Sequence, residues 1–175
     1  MRLVLPLLFS VALAGASQAE IIDRIAVTVD DQVITNGELL QEIRLTAFLN
    51  GQPPDFSPAA RRAAAEQLVE QHLILRDMEL TRFSSPPAAD VDRMLQQYSD
   101  TRQRELARYG ISERDLRARL ERQAAVLRYI DFRFKPEVQA SQPETIAQRV
   151  DEIVERWLKE ARQRARIRYR EAAFR

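Results

Sequence analysis

Residues 22–39 read IDRIAVTVDDQVITNGEL, a stretch that predicts two short strands joined at Asp30 and Asp31 and followed directly by a helix. Apolar residues alternate between Ile25 and Val29, as expected for a half-buried strand. Because short acidic side chains tolerate left-handed backbone, we interpret the acidic pair as a tight turn rather than as an acid-base site. An isolated two-stranded hairpin is only marginally stable in water. The fold therefore needs a further strand from elsewhere in the chain.

That strand is predicted near the C-terminus. The last helix is followed by ARIRYR, in which Arg166, Arg168 and Arg170 alternate with Ile167 and Tyr169. Alternation directly after a helix predicts a strand. Such a strand would cover the edge of the hairpin, which would otherwise favour aggregation. We therefore expect the two ends of the chain to meet in one sheet, with the arginines on its outer face. A patch for nucleic acid or anionic lipid is the alternative interpretation of these arginines.

The rest of the chain predicts helices, so the fold class is mostly α. Residues 20–83 are expected to form the hairpin and the first two helices. Residues 88–135 are expected to form a helical hairpin arm, with a helix ending at Gly110, and residues 143–170 the returning helix and strand. All of residues 20–175 are expected to form a single domain. The helix starts carry the expected caps, which are Thr35 with Glu38, Ser57 before Pro58, and Ser112 with Asp115.

The first nineteen residues resemble a secretory signal peptide. Arg2 precedes an almost wholly apolar run, and small residues stand at the expected cleavage point after Ala19. The run is shorter than the roughly 20 residues that a membrane span needs. We therefore expect an exported, periplasmic protein without stable membrane insertion, a retained N-terminal anchor being the alternative.

Composition excludes several function classes. Without Arg2, the chain has 26 basic and 26 acidic residues, and this balance argues against a nucleic-acid partner. The absence of cysteine excludes disulfides and thiol chemistry. No glycine-rich phosphate loop, metal-spaced cluster or nucleophile with a neighbouring base is present in the sequence. We expect no cofactor, no metal and no catalytic residue.

Three stretches resemble the SurA-type periplasmic chaperone family. Residues 22–39 are similar to that family's start, and residues 109–141, YGISERDLRARLERQAAVLRYIDFRFKPEVQAS, are similar to its central helix. Residues 153–169, IVERWLKEARQRARIRY, resemble the helix and strand that end the family's chaperone domain. The resemblance implies a SurA N-domain-like helical chaperone fold. It covers nearly all of residues 20–175.

One part of the family pattern is missing. Members usually carry parvulin-type prolyl isomerase domains before the final helix, whereas this chain has only QPET at that place. The single histidine, His72, lies among apolar residues of a predicted helix, and we interpret it as a packed or rim residue. The resemblance therefore implies the chaperone part without the isomerase.

The leading hypothesis is an ATP-independent periplasmic chaperone that binds unfolded outer-membrane or secreted proteins in an apolar groove. A peptidyl-prolyl isomerase and a structural or adaptor protein of the envelope are the alternatives. A homodimer formed by arm exchange is compatible with the sequence.

The groove is expected to involve large side chains near helix ends and linkers, which a small core buries with difficulty. Trp157 is instead assigned to the core, as are the apolar stripes of the predicted helices, which include Leu127, Ile130, Ile146 and Val150. The candidate groove residues are Phe48, Phe56, Phe83, Tyr98, Tyr109, Phe132 and Phe134.

Overall fold

The computed structural model describes residues 23–84, 88–96, 102–138 and 143–175. This part of the chain is mostly helical, with six α-helices and a three-stranded antiparallel sheet, which confirms the predicted class. The helices are α1 (Asn36–Leu49), α2 (Pro58–Leu80), α3 (Ala88–Gln96), α4 (Arg102–Tyr109), α5 (Glu113–Phe134) and α6 (Pro143–Arg164).

The sheet joins the two ends of the described chain. Strands β1 (Ile25–Val29) and β2 (Gln32–Thr35) form the hairpin, and β3 (Ile167–Tyr169) pairs with the other edge of β1. In this antiparallel register Val29 lies opposite Ile167, and Val27 lies opposite Tyr169. The predicted pairing of the C-terminal strand with the hairpin is confirmed.

Local sequence explains where the first elements turn. Asp30 has a φ of 53°, the left-handed conformation that short acidic residues tolerate. The Thr35 side chain accepts a hydrogen bond from the Glu38 N–H, while the Glu38 carboxylate accepts one from the Thr35 N–H at 2.7 Å. The predicted capping box is thus present. It fixes α1 directly after β2.

Three groups of buried side chains hold these elements together. The first packs the sheet against α1 and α2, with Val27, Leu39 and Val69 fully buried. The second packs α3, α4 and α5 against the C-terminal half of α1 around Leu116. The third packs the C-terminal part of α2 against α5 around Tyr129. Helices α1 and α2 therefore connect the sheet to the predicted arm.

Two details differ from the sequence analysis. A register shift in β1 separates Ile25 from Val27, so Ile25 is 42% exposed whereas Ala26 is completely buried. The simple alternation predicted for this strand is therefore wrong at its first residues. The chain also continues after β3 into a short 3-10 turn, Glu171–Phe174, where Phe174 is buried against the sheet.

A buried ion pair links α1 to α5. Glu42 and Arg119 are only 3% and 8% exposed, and Arg119 Nε donates to the two Glu42 oxygens at 2.9 and 3.1 Å. Arg119 Nη1 also donates to the side-chain oxygen of Gln123 at 3.3 Å. Because two charges are removed from water here, they require each other as partners.

Candidate functional site

An apolar groove of about 460 Å³ lies between α5 and α6. Leu127 and Ile130 line it from α5, and Ile146 and Val150 line it from α6. The pairs are three and four residues apart, so each pair shares one helix face. Val150 is buried, whereas Leu127 is 54% exposed. The groove therefore presents an apolar surface that the described chain leaves open to solvent.

Charged side chains of both signs surround this lining. Arg128 and Lys135 are basic and Asp131 and Asp151 are acidic. The Lys135 ammonium lies 3.9 Å from an Asp131 carboxylate oxygen, and both groups are largely exposed. Such exposed pairs contribute little to stability. With balanced charge at its rim, the groove would select a ligand by apolar character more than by sign of charge.

A cluster of aromatic rings lies where the end of α2 meets α5. The Phe83 ring centroid is 5.3 Å from that of Tyr129 and 5.1 Å from that of Phe132. Tyr129 is completely buried and its hydroxyl donates to Asp77 Oδ2 at 2.6 Å. Burial, together with this hydrogen bond, raises the pKa of the Tyr129 hydroxyl above its ordinary value. Phe132 is 60% exposed, so the cluster is buried at Tyr129 and exposed to solvent at Phe132.

Phe83 and Phe132 are the predicted groove residues that the structure brings together at the surface. Phe56 is also exposed, but it lies apart from them, beneath the guanidinium of Arg44 at 5.6 Å. Tyr98 lies outside the described residues.

The other predicted groove residues are packed inside the protein. Phe48 is 7% exposed and meets Tyr109, which is half-buried, edge to face at 5.5 Å. Phe134 is 2% exposed and packs on Trp157 at 5.7 Å. Trp157 itself is half-buried and contacts two core groups, as predicted for a core residue. These side chains provide structural support rather than open surface in this conformation.

Sequence reasoning missed the residues that line the groove. It assigned Leu127, Ile130, Ile146 and Val150 to buried helix stripes, because apolar spacing alone does not distinguish a covered face from an open one. The usable signal is Ala147, a small residue between two of these positions that leaves space between the helices. The candidate site therefore lies on the aliphatic faces of α5 and α6 and not at the aromatic side chains near helix ends.

Comparison with known proteins gives no independent identification: no protein-family model matches the chain, and no curated protein matches it. Within the described residues, no helix combines the length and apolar character needed to cross a membrane. The same residues contain no cluster of three or more histidine, cysteine or acidic side chains suited to holding a metal ion.

Proposed function

We propose that this protein is an ATP-independent chaperone that holds unfolded polypeptides in the groove between α5 and α6. The observation that carries the proposal is the open apolar lining, in which Leu127 is 54% exposed beside Ile130 and Ile146. Concave apolar surfaces with a polar rim are typical of binding sites. Unfolded chains expose apolar side chains that this surface would shield from water.

The exposed side of the aromatic cluster supports the same function. Phe132 lies on α5 as Leu127 does, and it adds an exposed ring to the apolar surface of this helix. A holding chaperone must also release its client, so many weak apolar contacts suit the task better than one tight pocket. Apolar burial contributes about 25 cal/mol per Å². Several partly exposed side chains would therefore give an affinity that is useful but reversible.

The proposal includes the fold family and the cellular location. We propose that the domain is similar to the N-terminal chaperone domain of the SurA-type family, on the basis of residues 22–39 and 153–169. The leader-like residues 1–19 support export to the periplasm, where outer-membrane barrels pass in unfolded form and are the proposed clients. The homodimer by arm exchange remains a prediction that analytical ultracentrifugation would test.

Suppression of aggregation tests the chaperone function. A urea-denatured outer-membrane barrel is diluted into buffer with increasing amounts of the purified protein, and light scattering is recorded. We expect scattering to fall at equimolar protein without ATP. Unchanged scattering at about tenfold molar excess, with the protein at a concentration well above a micromolar Kd, would contradict the function.

A pair of variants tests the groove itself. Leu127→Glu places a charge on the groove lining, while Leu80→Glu places the same charge at the end of α2, where Leu80 is 75% exposed and does not line the groove. We expect Leu127→Glu to raise the amount of protein needed for suppression several-fold, because burying a carboxylate against the client is costly. Leu80→Glu should behave like the natural protein. Equal behaviour of the two variants would argue against this groove.

The isomerase alternative requires a separate measurement. In a protease-coupled assay with a proline peptide, we expect a rate equal to that of buffer, because the sequence lacks the histidine-containing parvulin segment. A rate that rises in proportion to the protein concentration would favour the isomerase instead.

A further inference from the structure

A second crevice, separate from the α5–α6 groove, lies between α1, α2 and α5. Its volume is about 440 Å³. Its apolar wall consists of Ile34, Leu45, Leu68 and Leu75, and its polar lining includes His72, Arg122 and three further side chains that can form hydrogen bonds, Gln41, Gln71 and Glu38. Because apolar and polar groups line the same small crevice, a ligand that fills it must have both apolar and polar groups.

Three of these polar groups form no hydrogen bond within the described residues. His72 Nδ1 is buried and has no hydrogen bond in the described part of the chain. Arg122 is half-buried and, within the same described residues, forms no hydrogen bond or ion pair. Gln41 Nε2 is also buried without a hydrogen bond, although it lies near Asp115. Unpaired buried polar groups are uncommon, so each one requires an explanation.

The acidic side chains at the crevice are already engaged. Glu42 receives two hydrogen bonds from Arg119, as described above. Glu38 accepts the Thr35 N–H at 2.7 Å and so faces the start of α1, where the helix dipole favours negative charge. Arg122 is therefore the charged group of the lining that forms no ion pair within the described residues, although Glu38 lines the same crevice. Burial lowers the pKa of the His72 ring; the nearby Glu38 carboxylate opposes this shift, and the Arg122 guanidinium adds to it.

We infer that this crevice binds the free C-terminal carboxylate of a polypeptide that ends in apolar residues. The guanidinium of Arg122 would pair with the carboxylate through two parallel hydrogen bonds, a geometry that arginine and carboxylate share. The last side chains of the peptide would pack on the leucine and isoleucine wall. The His72 ring would form part of the wall beside this pair.

A peptide end fits the lining better than a simple fatty acid does. The amide groups of Gln41 and Gln71 stand at the crevice beside the apolar wall. An extended peptide has amides that can pair with them, whereas an alkyl chain would cover them and leave them unpaired. The chemistry therefore favours a peptide carboxyl terminus over a carboxylate on an alkyl chain.

Fluorescence anisotropy with one peptide in two forms tests this inference. An N-terminally labelled peptide of sequence GSGSALVL is prepared with a free C-terminal carboxylate and with a C-terminal amide, and each is titrated with the intact protein. We expect the carboxylate form to bind about 10-fold to 100-fold more tightly, as a charge-assisted hydrogen-bonded pair predicts. Equal binding of the two forms would overturn the inference.

Variants on α5 locate the effect. Arg122→Gln should abolish the preference for the free carboxylate. Arg122→Lys should retain part of it, because lysine keeps the charge but cannot form two parallel hydrogen bonds. Arg114→Gln, an exposed arginine on the same helix that does not line the crevice, is the matched control and should retain the full preference. A preference that survives in Arg122→Gln would overturn the site.

A separate calorimetric titration with decanoate distinguishes the ligand source. Binding of decanoate that depends on Arg122, together with no binding of the peptide carboxylate, would identify a lipid-like ligand and overturn the inference. Aggregation suppression by Arg122→Gln separates this site from the proposed function. Intact suppression by Arg122→Gln with a lost carboxylate preference supports two separate sites. If the natural protein prefers the free carboxylate but does not suppress aggregation, only the proposed function is contradicted.

Discussion

The carboxylate of Asp30 accepts a hydrogen bond from the backbone N–H of Arg166 at 2.9 Å, and the Asp30 N–H donates to the Arg166 carbonyl at 3.1 Å. One residue at the tip of the first hairpin thus makes a reciprocal contact with the chain just before β3. Its side chain also accepts a hydrogen bond from Arg76 on α2. The turn, the returning strand and α2 are therefore fixed at a single point.

The Asp30 contact predicts a pH-dependent contribution to stability. The hydrogen bond from the Arg166 backbone, followed by the one from Arg76, holds the pKa of the Asp30 carboxyl below its ordinary value of 3.8. A lowered pKa in the folded state means that the contribution is full above the ordinary pKa and is lost as the pH falls through the folded value. Low pH should therefore weaken the junction of β1 and β3.

Asp30→Asn isolates this charge, because asparagine also tolerates the left-handed conformation and keeps an acceptor oxygen. In urea unfolding we expect the variant to be less stable than the natural protein at about pH 7, and the difference to shrink below about pH 4. Asp31→Asn, at the exposed neighbouring position, is the control and should leave the free energy of unfolding unchanged at both pH values. A difference independent of pH would show that the charge of Asp30 does not stabilise the fold.

The buried pair Glu42 and Arg119 predicts strong coupling between α1 and α5. Glu42→Leu or Arg119→Met alone should reduce the free energy of unfolding by about 3 to 5 kcal/mol, because each leaves one buried charge unpaired. The double variant should recover most of this loss, since apolar residues of similar size replace both charges. Urea unfolding of the three variants forms a double-mutant cycle. Simple additivity of the two losses would contradict the coupling.

Alanine substitutions at Phe132 and Phe134 should affect different properties, although the two residues are only two positions apart. Phe134→Ala should lower the free energy of unfolding by about 3 to 5 kcal/mol, since it opens a cavity beside Trp157. Phe132→Ala should stay within about 1 kcal/mol, because this ring is 60% exposed, but it should weaken aggregation suppression. Thermal unfolding and light scattering measure the two properties. Reversed effects would contradict the assigned burial.

The sequence predicted those features of the fold that depend on local chemistry or on strand pairing. Thr35, Ser57 and Ser112 cap their helices as expected because a cap is decided by residues three positions apart. The pairing of the C-terminal strand with the hairpin was predictable because a strand with one apolar face can cover the open edge of the hairpin. The register, which places Ile167 opposite Val29, comes from the structure. Short-range patterns thus located most element boundaries.

The sequence did not predict which apolar side chains stay open. Phe132 and Phe134 point to different sides of α5, and the position of α2 and α6 decides that one is exposed and the other buried. Leu127 and Phe134 likewise differ through what packs beside them. Such burial depends on tertiary packing, which helical periodicity does not encode. The register shift near Ile25 escaped prediction for the same reason, because it depends on the partner strand.

Site-specific photo-crosslinking shows whether unfolded clients bind in the groove between α5 and α6. A photoreactive phenylalanine analogue is placed at Leu127, in the groove, and in a second sample at Leu80, an exposed leucine outside it. Each protein is irradiated with an unfolded outer-membrane barrel and with the same barrel after folding in detergent. We expect a crosslink from position 127 to the unfolded barrel alone, and little from position 80. Equal crosslinking from both positions, or none from position 127, would contradict binding in this groove.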